Sequence, residues 1–174
     1  DIKLLANAPK ITAKITLPKD VTIDGQGKYT LSANTYFFAL AGHNATFRNL
    51  TINTTHGVRT DGTAGPEVLF EGCTVNVTGG LLVNFDRNAN VTFRDSTVVS
   101  TAGDPVILLQ AGAISEVRLV NSTLDYRKGS SGDNSSIINI AGKSKGTVMI
   151  DGTSKLIYSP NSTGANNQII TVHD

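Results

Sequence analysis

A short pattern that contains an apolar anchor residue recurs six times along this chain. One copy reads Ala45-Thr-Phe47-Arg-Asn-Leu-Thr-Ile52, and the next reads Val68-Leu-Phe70-Glu-Gly-Cys-Thr-Val75. The successive anchors are separated by 24, 23, 23, 26 and 31 residues, and they are Ile23, Phe47, Phe70, Phe93, Leu119 and Ile150. A repeat of 23–24 residues, with insertions late in the chain, is the feature that most restricts the fold.

Each repeat is predicted to consist of two or three short strands. Apolar and polar residues alternate with a period of two, which is typical of strands, and no segment has the period of a helix. A further apolar run precedes the next anchor in five places: Tyr36–Leu40, Gly80–Asn84, Val106–Leu109, Ile137–Ile140 and Gln168–Val172. Asn, Thr, Ser and Gly number 15, 21, 13 and 17, together 66 of the 174 residues, which excludes a helix bundle.

Such a unit cannot bury its apolar face alone, so the repeats must stack. The sequence therefore predicts an all-β fold, a single-stranded parallel β-helix (a β-solenoid) of about seven rungs. A leucine-rich repeat is the competing solenoid, but its Leu-x-x-Leu-x-Leu-x-x-Asn signature is absent. A β-sandwich would share the composition, but it would not place turn residues at a fixed position in every repeat.

Turn residues occupy the same position in all six repeats, two places after the anchor. They are Gly25, Asn49, Gly72, Asp95, Asn121 and Gly152, all of types that tolerate a left-handed backbone. A tight bend is predicted there. Three more columns are predicted at neighbouring positions. One place after the anchor the charge alternates in sign, at Asp24, Arg48, Glu71 and Arg94. Three places after it a buried column is expected at Leu50, Cys73, Ser96, Ser122 and Thr153, and four places after it a hydroxyl column at Thr51, Thr74, Thr97, Thr123 and Ser154.

The length predicts one domain over residues 1–174, with residues 1–14 as an N-terminal cap. The strand predicted at Ile169–Val172 has no cap after it, so we expect the natural protein to continue.

A net charge of +1 gives no reason to expect a nucleic-acid partner, and apolar stretches of about seven residues are too short for membrane insertion. One cysteine and three dispersed histidines predict neither a metal site nor a cofactor. We expect the isolated domain to be monomeric.

The segment Ile15-Thr-Leu-Pro-Lys-Asp-Val-Thr-Ile-Asp-Gly-Gln-Gly27, followed by Phe47-Arg-Asn-Leu-Thr-Ile52, resembles pectate-lyase-like β-helix domains. It looks most like the adhesive, non-catalytic version in cell-surface proteins of Gram-positive bacteria such as lactobacilli and enterococci. The resemblance extends over about residues 11–174. It implies a right-handed helix, an extracellular location in a parent protein attached to the cell wall, and binding of host or plant glycans or of a surface receptor.

Polysaccharide lyases and polygalacturonases share this fold, so catalysis is the main alternative. A glycoside hydrolase needs two carboxylates about 5–9.5 Å apart. The nearest candidates are Asp61 and Asp86, with Arg59 or Arg87 as a cation, beside the sequence His56-Gly. The paired-Asp, His-Gly and Arg-Ile-Lys motifs of polygalacturonases do not occur together in order. We therefore expect no catalytic residues, and a lyase-like or polygalacturonase-like enzyme and a structural or phage-fibre segment remain alternatives.

The turn after the last apolar run of each repeat is the predicted binding surface. It would place one row of polar residues along one side: His43, Arg59, Asp61, Asp86, Arg87, Gln110, Lys143 and His173. Such a row suits an extended polysaccharide, and Arg and Lys suit uronic or sialic acids. Three longer loops, at Thr63–Glu67, Arg127–Ser136 and Ser159–Asn167, form a second candidate surface. The predicted function is a non-catalytic adhesin domain that binds a glycan, a polysaccharide or a host-cell surface glycoprotein.

Overall fold

The computed structural model describes residues 1–110, 112–126, 136–158 and 168–173, which form strands and no helix. Numbered along the chain, the strands are β1 Ile2–Lys3, β2 Ile15–Thr16, β3 Val21–Asp24, β4 Thr30–Ala39, β5 Ala45–Arg48, β6 Thr51–Arg59, β7 Glu67–Glu71, β8 Thr74–Val77, β9 Val83–Phe85, β10 Asn90–Arg94, β11 Thr97–Ser100, β12 Ile107–Leu109, β13 Ile114–Val120, β14 Thr123–Tyr126, β15 Ser136–Ile140, β16 Lys145–Ile150, β17 Lys155–Tyr158 and β18 Gln168–Val172.

The strands form two sheets in which every pairing is parallel. Sheet A has the order β1-β3-β5-β7-β10-β13-β16, so its strands follow one another along the chain with the strands of sheet B between them. Sheet B has eleven strands and contains the order β17-β14-β11-β8-β6-β9-β12-β15-β18. The chain therefore coils into a β-solenoid, and the prediction of a parallel β-helix is confirmed. It makes about five turns, slightly fewer than the seven rungs predicted.

The six anchor residues form one column, which is buried from Ile23 to Leu119, whereas Ile150 at its end is 43 % exposed. Ile23, Phe47, Phe70, Phe93, Leu119 and Ile150 are direct Cα partners in successive strands of sheet A. The rings of Phe47 and Phe70 stack with centroids 5.0 Å apart, as do those of Phe70 and Phe93. Because the three phenylalanines are fully buried, the repeated anchor supplies the centre of the core.

The predicted bend is present in the four central repeats. Asn49, Gly72, Asp95 and Asn121 have φ angles of 48°, 61°, 50° and 48°. These left-handed conformations suit Gly, Asn and Asp, whose short or absent side chains avoid the steric penalty of larger residues. A single bend residue therefore turns the chain from sheet A into sheet B in each of these coils.

The first and last repeats differ from this expectation. At the first bend the positive φ angles fall on Gln26 (57°) and Gly27 (70°), not on Gly25. A Cβ at Gly25 would lie 2.7 Å from the backbone oxygen of Asn49. Glycine is therefore needed here because two coils approach each other closely. Gly152 has no positive φ angle either.

An extra residue in the last bend shifts the columns there by one position. Ser154, not Thr153, continues the buried column, because the Ser122 backbone N–H donates to Ser154 Oγ at 3.0 Å. The same kind of bond links Cys73 to Ser96 and Ser96 to Ser122. Lys155, not Ser154, pairs with Thr123 and so ends the threonine column.

The charge column holds ion pairs across three coils. Glu71 lies between two arginines, with Arg48 Nε 2.7 Å and Arg94 Nη1 2.9 Å from its carboxylate oxygens. Hydrogen bonds from Arg48 and then Arg94 lower the pKa of Glu71 below its ordinary value. The alternation of charge in the sequence therefore marks side chains that pair between neighbouring coils.

Sheet B forks at β6, and the fork positions the candidate site. The first part of β6 pairs with β8, whereas its last residues, Val58 and Arg59, pair with Val83 and Asn84 of β9. One branch continues through β11, β14 and β17 and the other through β12, β15 and β18. The second branch contains the apolar runs that precede the predicted binding turns.

The N-terminal segment lies against the first coil. Ile2 of β1 pairs with Ile23, and Ile11 forms a bridge with Ala33 of β4. The strand β2 pairs with the end of β4. Residues 1–16 thus hydrogen-bond to edges of both sheets at the beginning of the stack.

Candidate functional site

The second branch of sheet B brings several of the predicted binding residues to one edge. Arg59 pairs with Asn84, and Phe85 pairs with Leu109, so the residues that follow these strands lie at equivalent positions. This register places Asp61, Asp86 and Gln110 on successive coils. The repeat in the sequence therefore indicates that Asp61, Asp86 and Gln110 lie on neighbouring coils, but it does not show which side chains contact each other.

Arg59 links the two acidic residues of this edge. Its Nε lies 3.1 Å from Asp61 Oδ1, and its Nη2 lies 3.9 Å from Asp86 Oδ2. Lys14, from the N-terminal segment, places its Nζ 2.7 Å from Asp61 Oδ2. Arg87 turns back and donates to the backbone oxygen of Asp86 at 2.6 Å. The two carboxylates thus lie near each other, with two cations in direct ion pairs with them.

Asp86 is held as a carboxylate by its neighbours. Partial burial raises the pKa of Asp86, but hydrogen bonds from the Thr60 hydroxyl and the Gly62 N–H, with the charges of Arg59 and Arg87, outweigh it. The Gly62 nitrogen lies 3.1 Å from Asp86 Oδ1. The net effect is a pKa below the ordinary 3.8, so Asp86 is ionised at neutral pH.

We expect Asp86→Asn to reduce stability in a pH-dependent way. Because the pKa of Asp86 is lower in the folded protein, its stabilising effect is complete above about pH 5 and is lost as the pH falls through the folded pKa. At pH 7 the variant should lose about 1–2 kcal/mol of unfolding free energy. Urea unfolding at pH 7 and at a pH of about 2.5 would measure both values. Asp104→Asn, at an exposed carboxylate, is the control, and an equal loss at both pH values would contradict this prediction.

Beside the ion pairs, a hydrogen-bonded row crosses neighbouring coils on the outside of sheet B. Asn84 Nδ2 donates to the Tyr36 hydroxyl at 3.1 Å, and Gln110 Nε2 donates to Asn84 Oδ1 at 2.7 Å. The Arg59 guanidinium lies over the Tyr36 ring, 5.5 Å from its centroid. We call Tyr36, Arg59, Asn84 and Gln110 the polar strip. The His56 ring also lies close to Tyr36, with the two ring centroids 4.8 Å apart.

Farther along the same branch, Asn139 and His173 form a separate contact. Asn139 Nδ2 and His173 Nε2 are 3.5 Å apart. Leu108 occupies the position between Asn84 and Asn139 in the strand register, so the polar side chains are interrupted there. His173 therefore lies on the predicted side, but not in the hydrogen-bonded row.

Two of the predicted binding residues take other places. His43 Nδ1 lies 3.6 Å from Asp20 Oδ1, and Asp20 also accepts hydrogen bonds from Asn44. Lys143 is exposed in the turn before β16 with a φ angle of 63°. Of the loops proposed as a second surface, residues 127–135 and 159–167 lie outside the described part of the chain.

Sequence reasoning did not include Tyr36, Asn84 and Lys14 in the site. Tyr36 and Asn84 belong to apolar runs, which the sequence assigns to the core. The signal that could have identified them is that each carries a polar group at an outward-facing position of its strand. Lys14 precedes the first repeat, so no column of the repeat predicts its position. Its contact with Asp61 follows only from the path of the N-terminal segment.

Neither the family models, nor the curated proteins, nor the solved structures include a match to this chain. Within the described ranges, no three His, Cys, Asp or Glu residues come together in a way that could hold a metal ion. The same ranges contain no helix with the length and apolarity needed to cross a membrane. The site is therefore interpreted from its own geometry.

Proposed function

We propose that this protein is a non-catalytic adhesin domain that binds a glycan or polysaccharide along the polar strip. The observation that supports this most is the row of side chains from Tyr36 through Asn84 to Gln110, with Arg59 beside it. The row crosses the coils obliquely, because Tyr36 lies three residues before the register position of Asn84 and Gln110 lies two residues after it. The half-buried Tyr36 phenol and Gln110 amide can contact a long ligand, whereas Asn84 is buried between them and holds them in place.

The spacing of the strip favours a polymer over a compact ligand. Neighbouring parallel strands are about 4.8 Å apart, so the four successive coils that carry Tyr36, Arg59, Asn84 and Gln110 extend over about 14 Å. Sugar hydroxyls both donate and accept hydrogen bonds, as do the Asn84 and Gln110 amides. Arg59 adds a guanidinium that suits the carboxylate of a uronic or sialic acid.

The electrostatics of the acidic pair favour binding over hydrolysis. A glycoside hydrolase needs one carboxyl group that is protonated near its working pH, which requires a raised pKa. The pKa of Asp86 is lowered instead, and Arg59 lies within ion-pair distance of both Asp61 and Asp86. These contacts suit a fixed charge pattern that positions a ligand.

The resemblance to Gram-positive adhesive domains supports the biological setting of this proposal. In that setting the domain belongs to a cell-wall-attached protein on the outside of the cell, and the glycan belongs to a host or plant surface. A host-cell surface glycoprotein would present the same kind of sugar chain.

A binding experiment with matched variants tests the proposed function. Wild-type protein should bind acidic oligosaccharides, such as oligogalacturonates or sialylated glycans, on a glycan array and in calorimetry. Gln110→Ala and Arg59→Gln should each weaken binding by about tenfold. Arg118→Gln, on the outer face of sheet A, is the control and should bind as the wild type does.

Two results would contradict the proposal. One is the absence of glycan binding above background, or equal binding by the strip variants and the wild type, after circular dichroism has shown that the variants are folded. The other is release of reducing sugar or of unsaturated product from pectin with Ca²⁺ present, because turnover would make the domain an enzyme.

A further inference from the structure

A second concave surface lies on the earlier part of the same sheet B strands. It has a volume of about 390 Å³, which falls in the range of small-ligand sites. Its polar lining includes Lys10, Ser32, Asn34, Asn53, Asn76 and Thr78. None of these residues belongs to the polar strip, so the two surfaces use different side chains. We call this surface the amide groove.

A bulge in β4 shapes the amide groove. Ala33 pairs with Thr54 and Tyr36 with His56, so β4 has one residue more than β6 between these pairs. The bulge contains Asn34, which is exposed. Bulges redirect side chains and are frequent beside functional sites. At the same place Ile11 bridges to Ala33, which brings Lys10 to the end of the groove.

The asparagine side chains of the groove keep unused hydrogen-bonding capacity. Asn76 Nδ2 donates to Asn53 Oδ1 at 2.8 Å. Among the described residues, Asn53 Nδ2, Asn76 Oδ1 and the Asn34 side-chain amide have no hydrogen-bond partner. The groove therefore presents both donors and acceptors on neighbouring coils, about 4.8 Å apart.

The charge of the groove distinguishes its ligand from that of the polar strip. Among the residues that the structure describes, Lys10 is the one charged side chain in the lining, and it belongs to the N-terminal segment. No acidic side chain from the described part of the chain contributes to the lining. The methyl groups of Thr55 and Thr78 supply apolar surface beside the amides. Amide groups beside small apolar patches match a sugar ring, which carries hydroxyl groups and C–H faces.

We propose that the amide groove is a second carbohydrate site, which binds an uncharged sugar unit through Asn34, Asn53 and Asn76. Asn53 and Asn76 contact sugar hydroxyls from two successive coils, and Asn34 contacts them from the bulge. The site is independent of the polar strip, which presents a guanidinium to acidic sugars. One domain then contacts two chemically different parts of a glycan.

Calorimetry and saturation-transfer NMR with neutral sugars test this proposal. The probes are methyl glycosides of glucose, galactose and N-acetylglucosamine and their short oligomers. The wild type should bind at least one of them, and the double variant Asn53→Ala/Asn76→Ala should bind it about tenfold more weakly. Arg118→Gln, on the outer face of sheet A, belongs to neither surface and should leave this affinity unchanged. Circular dichroism and thermal unfolding would verify that each variant is folded.

A gain-of-function variant provides a second readout. Val99 is the strand partner of Asn76 on the next coil, so Val99→Asn extends the amide row by one position. It should strengthen binding of a neutral oligomer and leave binding of a monosaccharide unchanged. The proposal is overturned if no neutral sugar binds the wild type, or if the double variant binds as the wild type does. If Gln110→Ala loses only the binding of acidic glycans, that result tests the proposal for the polar strip and not the proposal for the amide groove.

Discussion

Replacing Phe70 with alanine is expected to lower the free energy of unfolding by about 3–5 kcal/mol. The Phe70 ring is fully buried and stacks between Phe47 and Phe93, with centroids 5.0 Å away on each side. Truncation removes the burial of the ring and leaves a cavity that the fixed coil spacing prevents from closing. Urea unfolding followed by circular dichroism would measure the loss.

Two further substitutions define what the loss at Phe70 means. Leu69→Ala changes the adjacent residue, which is half-buried on the outer side of the same strand, and should cost much less. Phe70→Leu keeps most of the apolar volume and should recover a large part of the stability. If Phe70→Ala and Leu69→Ala destabilised the protein equally, the stacked column would not be the centre of the core.

Replacing Gly57 with alanine is expected to cost about 3 kcal/mol. A Cβ at this position would overlap the carbonyl oxygen of Leu82 and lie 2.8 Å from its carbonyl carbon. The contact is with backbone, so no side chain can rotate away. The Gly57 N–H also donates to Leu81 at 2.9 Å, and the displacement would weaken the pairing of β6 with β9.

Gly152→Ala is the matched control for Gly57→Ala. Among the described residues, no atom beyond the two chain neighbours lies within 4 Å of a Cβ built at Gly152, and its φ angle is not positive. Its effect should stay within about 0.5 kcal/mol. The glycan affinity of Gly57→Ala provides a second measurement, because Arg59 follows Gly57 in the same strand and Asn84 follows Leu82. A stable Gly57→Ala variant would show that the two branches of sheet B separate more easily than the contact implies.

The features that repeat were predictable from the sequence, because one physical requirement acts on every coil. An apolar anchor must fill the core at each level, so Phe47, Phe70 and Phe93 recur with a constant interval. A left-handed bend requires Gly, Asn or Asp, so Asn49 and Asp95 identify the bend. The ion pairs of Glu71 followed from the alternation of charge at one position. These arguments need no knowledge of contacts outside the repeat.

The polar strip depends on departures from the repeat, which the sequence does not locate. The bulge in β4 shifts Tyr36 by one residue relative to the preceding pairs. Lys14 reaches Asp61 from the segment before the first repeat. The extra residue in the last bend displaced Thr153 and Ser154 from the predicted columns for the same reason. The number of turns was also overestimated, at about seven where the solenoid makes about five.

Strand order in sheet A has a mechanical consequence. Each strand pairs with those of the previous and the following coil, and the first and last strands of this sheet lie at opposite ends of the stack. A pull on the two ends of the stack is therefore directed along the hydrogen bonds between coils. Such a load separates one coil at a time, starting from an end, whereas a load across the axis must shear the bonds of many coils together. The domain should thus yield gradually to tension along its length and resist tension applied from the side.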